Sequence, residues 1–194
     1  MPDRTDQPIP FDATEVVPRV WVGAAPPIGK AVSEAGFRLL VLCALPSEYE
    51  IIYGSAGTYL ARQFDGAYVV FAPLDDQSPN KHEPNLGRPT AEMMIGAKIA
   101  AHEIVRWTSR GHKALVTCMQ GRNRSAFVAA LAVARKTGWS GERAADAVRH
   151  ARQADVSGPV LYNYWYAGYM QSIPERTLQR GSRAPIPALA RRQR

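Results

Sequence analysis

The stretch from Ala114 to Gly138 constrains this chain more than any other. Ala114-Leu115-Val116-Thr117 reads as a strand. The seven residues from Cys118 to Arg124 form a turn, and Ser125 to Thr137 follows, almost wholly apolar through AFVAALAVA. A helix of that composition has no polar stripe, so it is predicted to be buried all round, with Gly138 ending it. A buried strand that turns directly into a buried helix belongs in a layered α/β core.

The rest of the chain agrees with that architecture. Arg19 to Val22 is a β-rich run stopped by Gly23, and Phe37 to Ala44 is a near-continuous apolar run suited to a strand covered on both faces. Tyr68 to Phe71 is a further strand. Lys30 to Ala35 reads as a short helix ending at Gly36, while Leu45 to Gly66 shows no clear period. Asp75 to Pro89 is a loop. Thr90 caps a long helix ending at Gly111, with Met93, Ala97, Ala100, Ile104 and Trp107 along one stripe. Ser140 caps another, and Pro159 is predicted to open a last one carrying Leu161, Trp165 and Tyr169. The fold expected is a single α/β domain with a mainly parallel central sheet flanked by helices.

Length and charge set the limits of this reading. With 194 residues, 46% of them hydrophobic, the chain suits one domain with a proper core, not two. Residues 1–14 hold acids and prolines with no apolar stretch, so they read as a loose leader rather than a secretory signal. The domain is expected over 15–173, and 174–194 is a Pro- and Arg-rich tail, read as a solvated end. Six of the arginines lie from Arg176 onward, which leaves eighteen basic against seventeen acidic residues before it. The net charge of +7 is therefore a property of the tail and implies no large basic face on the domain. No run approaches a membrane span. Two cysteines exclude a disulfide scaffold and a four-cysteine zinc site, and a reducing, cytoplasmic setting fits best. The four histidines, 82, 102, 112 and 150, show no ligand spacing, so no metal and no cofactor is expected.

The turn carries the chemistry. Successive backbone N–H groups in such a turn can converge on one point, and the start of the helix adds positive potential, a combination that favours phosphate. Gly121 lets the turn tighten, and Arg124 supplies a planar fork for two phosphate oxygens. A cysteine at the floor of the nest sees the same field, which favours its nucleophilic thiolate. The spacing from Cys118 to Arg124 is weak by itself, since about one residue in ten is arginine. Cys43 is the control, with Tyr49 six places on. The flanking strand, central glycine, following serine and apolar helix make the difference.

The segment CMQGRNRS resembles the signature of the cysteine-dependent phosphatases of the dual-specificity and protein tyrosine type: a cysteine, five residues, an arginine, then Ser or Thr. The resemblance covers most of Val16 to Gln171, with VVPRVWVG like the family's first strand and GFRLLVLC like its second. It implies a protein tyrosine phosphatase-like fold and a cysteinyl-phosphate mechanism. Cys118 would attack phosphorus, Arg124 would bind the equatorial oxygens, and Ser125 would ease the departure of the thiolate. The N–H groups of Met119, Gln120, Gly121, Arg122, Asn123 and Arg124 would complete the phosphate cradle. The general acid of the family is matched by Asp76 in Pro73-Leu74-Asp75-Asp76, with Asp75 as the alternative. Cys43 corresponds to a second-strand cysteine that in some relatives pairs with the nucleophile under oxidation, but it reads more readily as a buried small apolar residue. Three positions depart from the pattern. Thr117 replaces a histidine, the Asp76 to Cys118 interval is long, and Ala126 stands where close relatives often have glycine.

On this reading the chain is a phosphatase acting on phosphorylated Tyr, Ser or Thr in proteins, its expected partners. Arg122 would favour an acidic neighbour of the phosphosite. Gly121-Arg122-Asn123-Arg124 also matches the ending of RNA 5′-triphosphatase signatures, and the basic tail offers a means of RNA contact. The third reading is a phosphate-binding module with little turnover. A phosphoinositide substrate is disfavoured by the lack of lysines in the loop. Oligomeric state is not legible.

Overall fold

In a computed structural model, residues 9–79 and 81–176 are described. Five strands form one sheet in the order β1-β2-β5-β3-β4: β1 Ala13–Val17, β2 Val20–Gly23, β3 Phe37–Leu42, β4 Tyr68–Phe71 and β5 Lys113–Thr117. β1 is antiparallel to β2, and every other pair is parallel. The expected α/β architecture and mainly parallel sheet are therefore found.

Strand alternation sorts the core. Leu39, Val41 and Cys43 point into one cluster, while Phe37, Leu40, Leu42 and Ala44 point into another. The first cluster holds α4 Ala91–Thr108, α5 Arg124–Thr137 and α6 Gly141–Gln153, with α7 Tyr164–Gln171 packed beside them. The second is closed by Tyr49 of α2 Pro46–Tyr53, Leu60 of α3 Gly57–Ala61, Val32 of α1 Ala31–Glu34, and Phe64. Two covered faces explain why β3 reads as a near-continuous apolar run, broken only by the exposed Arg38. Every residue of α5 from Arg124 to Ala134 is buried, because α4, α6, α7 and the sheet surround it.

Four expectations change. β1 and Asp12 lie inside the supposed leader: the antiparallel pairing with β2 begins at Ala13, so the ordered domain starts before residue 15. The stretch from Leu45 to Gly66 holds α2 and α3. Their period is hidden because α2 buries only Tyr49 and leaves Ile51 84% exposed. The last helix begins at Tyr164, not Pro159, because Asn163 is its cap, accepting from the Trp165 amide at 3.0 Å. At the start of the tail, the Arg176 amide donates to Gly138 O (2.7 Å) and Glu175 pairs with Arg143 (3.3 Å). The rest of the tail, 177–194, and residues 1–8 lie outside the described residues. Among the described residues no helix is long and apolar enough to cross a membrane, and no three His, Cys, Asp or Glu side chains gather as a metal site.

Candidate active site

β5 lies between β2 and β3, and its C-terminal end delivers Cys118 to the point where α5 begins. Ligands of open parallel sheets gather at this carboxyl end of the strands. Cys118 is 1% exposed, and its Sγ lies 3.3 Å from Ser125 Oγ, within hydrogen-bonding reach. Thr117 turns away from the loop, donating its hydroxyl to Val41 O of β3 (3.2 Å). Cys43, the next residue beyond β3, donates its amide to Thr117 O (2.8 Å). Both cysteines are free and buried; burial, then the charge of Cys118, pushes the Cys43 thiol well above its ordinary range.

Two carbonyls of the loop are engaged, one by the segment before α7 and one by the first turn of α5. Leu161 N donates to Arg122 O (2.9 Å), and Phe127 N to Asn123 O (2.8 Å). A trans peptide sets N–H opposite C=O, so the amides of Asn123 and Arg124 point away from these two bonds. The Asn123 side chain also accepts from Tyr162 N (3.1 Å), which fixes the turn against the segment before α7. Arg122, assigned above to the substrate's neighbouring residues, instead donates to Ser157 O (2.9 Å). Gln120 is exposed and shares a cleft of about 380 Å³ with Asp12, Arg122, Asp155, Val156 and Ser157. Met119 packs against the cluster beneath α2.

Arg124 is 3% exposed and held on two sides. Glu48 takes both of its terminal nitrogens, Nη2 at 2.8 Å and Nη1 closer, and Nη1 also reaches Leu74 O at 3.3 Å. Burial opposes its charge, but the Glu48 bonds and the neighbouring negative groups hold the guanidinium above its ordinary pKa. Glu48 was not singled out in the sequence. It is the third residue of α2, where its carboxylate also accepts from Leu45 N at 2.7 Å. Its legible signal was a Pro-Ser-Glu start to a helix, but α2 was itself hidden. Burial works to raise the Glu48 pKa, but the hydrogen bonds from Arg124 and Leu45 N and the Arg124 charge together lower it.

Asp76 and Asp75 part company. Asp75 Oδ1 caps its own loop by accepting from Gln77 N (3.0 Å). Asp76 Oδ2 lies 3.8 Å from Arg124 Nε, while its Oδ1 and that Nε are buried and have no hydrogen-bond partner among the described residues. Burial raises the Asp76 pKa against the pull of Arg124. The segment is fastened to α7: Tyr166 donates its hydroxyl to Asp75 O, and Asn163 Nδ2 to Gln77 O at 2.9 Å. Cys118, Ser125, Arg124 and Asp76 thus share one site, although the first three are far in sequence from the fourth.

No protein-family model and no curated protein sequence matches the chain. Solved structures do match. PTPMT1 in complex with PI(5)P has a TM-score of 0.61 at 18% identity, covering 82% of this chain and 92% of that one. Human DUSP28 has 0.57 at 20%, covering 85% and 94%. The human tyrosine phosphatase-like serine/threonine/tyrosine-interacting protein has 0.58 at 14%, covering 83% and 94%. The chain has the fold of the dual-specificity and protein tyrosine phosphatases.

Proposed function

We propose that the chain hydrolyses phosphomonoesters through a cysteinyl-phosphate intermediate, with phosphorylated Tyr, and secondarily Ser and Thr, of proteins as substrate. The supporting observation is the pair of buried, unpartnered atoms beside the thiol: a donor, Arg124 Nε, and an acceptor, Asp76 Oδ1. Each orphaned buried polar atom costs about 1–3 kcal/mol, a cost that a bound phosphoryl group and its leaving oxygen relieve. In the first step Cys118 Sγ forms a bond to phosphorus, the ester P–O bond breaks, and Asp76 gives its proton to the leaving oxygen. Arg124 and the loop amides hold the equatorial oxygens. In the second step water attacks phosphorus, Asp76 takes its proton, and the P–S bond breaks toward a thiolate that Ser125 hydrogen-bonds. Burial of Asp76 supports its role as the acid, because the proton is retained to higher pH than on an ordinary carboxylate.

The surroundings favour a monoester over a polyphosphate. Arg122 is tethered through Nη1 to Ser157 O, and the cleft beside the loop also carries the carboxylates of Asp12 and Asp155. With Asp12 paired to Arg152 and Asp155 set against Arg122, the cleft offers no excess positive charge to hold the additional phosphates of triphosphate-ended RNA or a highly phosphorylated inositol lipid. The test is a substrate panel of an aryl phosphate, phosphopeptides, a phosphoinositide and triphosphate-ended RNA, with Cys118→Ser as the blank. Phosphopeptide turnover lost in Cys118→Ser is expected. Preference for RNA or lipid refutes the substrate, and retained phosphopeptide binding without turnover points to a binding module.

A further inference from the structure

Beside the loop, on the side away from Glu48, lies a charged pair that the steps above do not use. Arg152 of α6 is fully buried. Its Nε donates to Gly121 O at 3.1 Å, its Nη1 to Asp12 Oδ1 at 2.7 Å and to Thr14 Oγ1 at 2.9 Å, and its Nη2 to Asp12 Oδ2. Asp12 Oδ2 also accepts from Ala24 N, just past β2, at 3.2 Å. One carboxylate before β1 and one guanidinium on α6 therefore join β1, the end of β2, α6 and the phosphate loop.

We infer that Arg152, fixed by Asp12 and Thr14, is a positioning residue that aims the Arg122 amide into the oxyanion cradle. The inference rests on reading the loop as such a cradle. Gly121 O is held outward by Arg152 Nε, so across the trans peptide the Arg122 N–H points inward, beside the amides of Asn123 and Arg124. The Gly121–Arg122 peptide needs this hold. Gly121 has φ +65°, in the left-handed region where glycine moves freely, so its carbonyl has little conformational restraint of its own. The approach is also close: a Cβ at Gly121 would lie 2.5 Å from Gly23 C and 2.6 Å from Arg152 Nη2, so only glycine brings the loop within reach of the guanidinium. Arginine suits the task because its planar fork can grip a carboxylate with two nitrogens and still present Nε in a fixed direction, which lysine cannot do. Charge at this position also requires a partner, since a fully buried guanidinium is costly alone, and Asp12 is that partner. The segment before β1 thereby contributes to a site it does not touch.

The test measures orthovanadate affinity by protection of Cys118 from iodoacetamide, together with kcat and KM on an aryl phosphate, well below each variant's Tm. Arg152→Lys keeps the charge but loses the aimed Nε, and Asp12→Asn keeps the shape but loses the counter-charge. Both are expected to weaken vanadate binding and kcat/KM by about 10–100-fold, the scale of a misplaced donor. Val148→Ala, a cavity in the same helix, is expected to lower Tm and leave vanadate affinity unchanged. If Arg152→Lys fails to fold, Thr14→Val, which removes the Thr14 hydroxyl's bonds to Arg152 Nη1 and Asp155 and keeps the Arg152–Asp12 pair, carries the test with a smaller loss in the same direction. Wild-type vanadate affinity in folded Arg152→Lys overturns the proposal, and so does an equal loss in Val148→Ala. A wild-type chain that binds vanadate without hydrolysing esters refutes the proposed function alone, and the vanadate series then still decides the role of Arg152. A wild-type chain that binds no vanadate overturns both.

Discussion

Asp76 and Asp75 are neighbours with the same chemistry, and their surroundings separate them. Asp75 is occupied by the Gln77 amide, whereas Asp76 keeps an unpartnered buried oxygen beside Arg124. Asp76→Asn is expected to slow esters with poor leaving groups by about 10²–10⁴-fold and good ones far less, while Asp75→Asn has the smaller effect. The sign with pH follows from the raised pKa. An acid whose folded pKa exceeds its unfolded value, about 3.9, binds its proton more tightly in the folded state; the associated stability is present at low pH and lost as pH rises through the folded value. In the proposed mechanism the same proton is the one donated in the first step. The alkaline limb of kcat/KM on poor leaving groups should therefore lie above the ordinary aspartate range and vanish in Asp76→Asn, which a pH–rate profile checks. Equal losses on good and poor leaving groups would remove Asp76 from the role. At this scale the gathering of Cys118, Arg124, Ser125 and Asp76 was legible because motif and loop position carry it. Glu48 and Arg152 were not, because each acts through a partner more than 25 positions away that only the folded chain brings near.

Among the elements, α7 does most to fix the acid segment. Tyr166 stacks on Phe127 of α5 with ring centroids 4.6 Å apart, and its hydroxyl reaches Asp75 O, while Asn163 holds Gln77 O. Carbonyls on both sides of Asp76 are thus bolted to one helix. Tyr166→Phe keeps the stacked ring and frees the carbonyl. It should lower kcat on poor leaving groups by roughly tenfold with little change in vanadate affinity, a misplacement cost confined to the acid. A matched loss of vanadate affinity would show that the helix supports the whole site instead. The same region explains where the sequence pattern failed. Pro159 resembles a helix start, but Leu161 has φ +51° and its amide is committed to Arg122 O, so the chain stays irregular until Asn163 caps α7. Long periodic elements such as α4 and α5 were legible; α2 and the entry to α7 were not, because tertiary bonds to the loop and Arg124 shape them.

On the scale of the whole molecule, the charge balance separates the domain from its tail. Eighteen basic and seventeen acidic residues precede Arg176, so the positive excess lies almost entirely beyond the residues that build the site. Removing residues 177–194 should leave turnover of a small aryl phosphate within about twofold and weaken any contact with RNA in a salt-dependent way. Loss of aryl phosphatase activity on truncation would instead tie the tail to the site. The fold class was readable at this scale, since alternating strands and helices leave few arrangements. The antiparallel β1 was not, because Asp12 to Thr14 sit among prolines and acids and gain order only by pairing with β2 and meeting α6.

β1 closes one margin of the sheet, which leaves β4 as the other. This margin is short: Tyr68 to Phe71 spans four residues and runs on to Pro73, which has no N–H to offer an incoming ladder. Tyr68 stacks on Trp107 across its start, at 5.7 Å between ring centroids. A foreign strand would therefore find a narrow, partly roofed landing, and crowded solutions of this protein should resist growth into sheet-linked fibres even though its interior is so rich in β-branched residues.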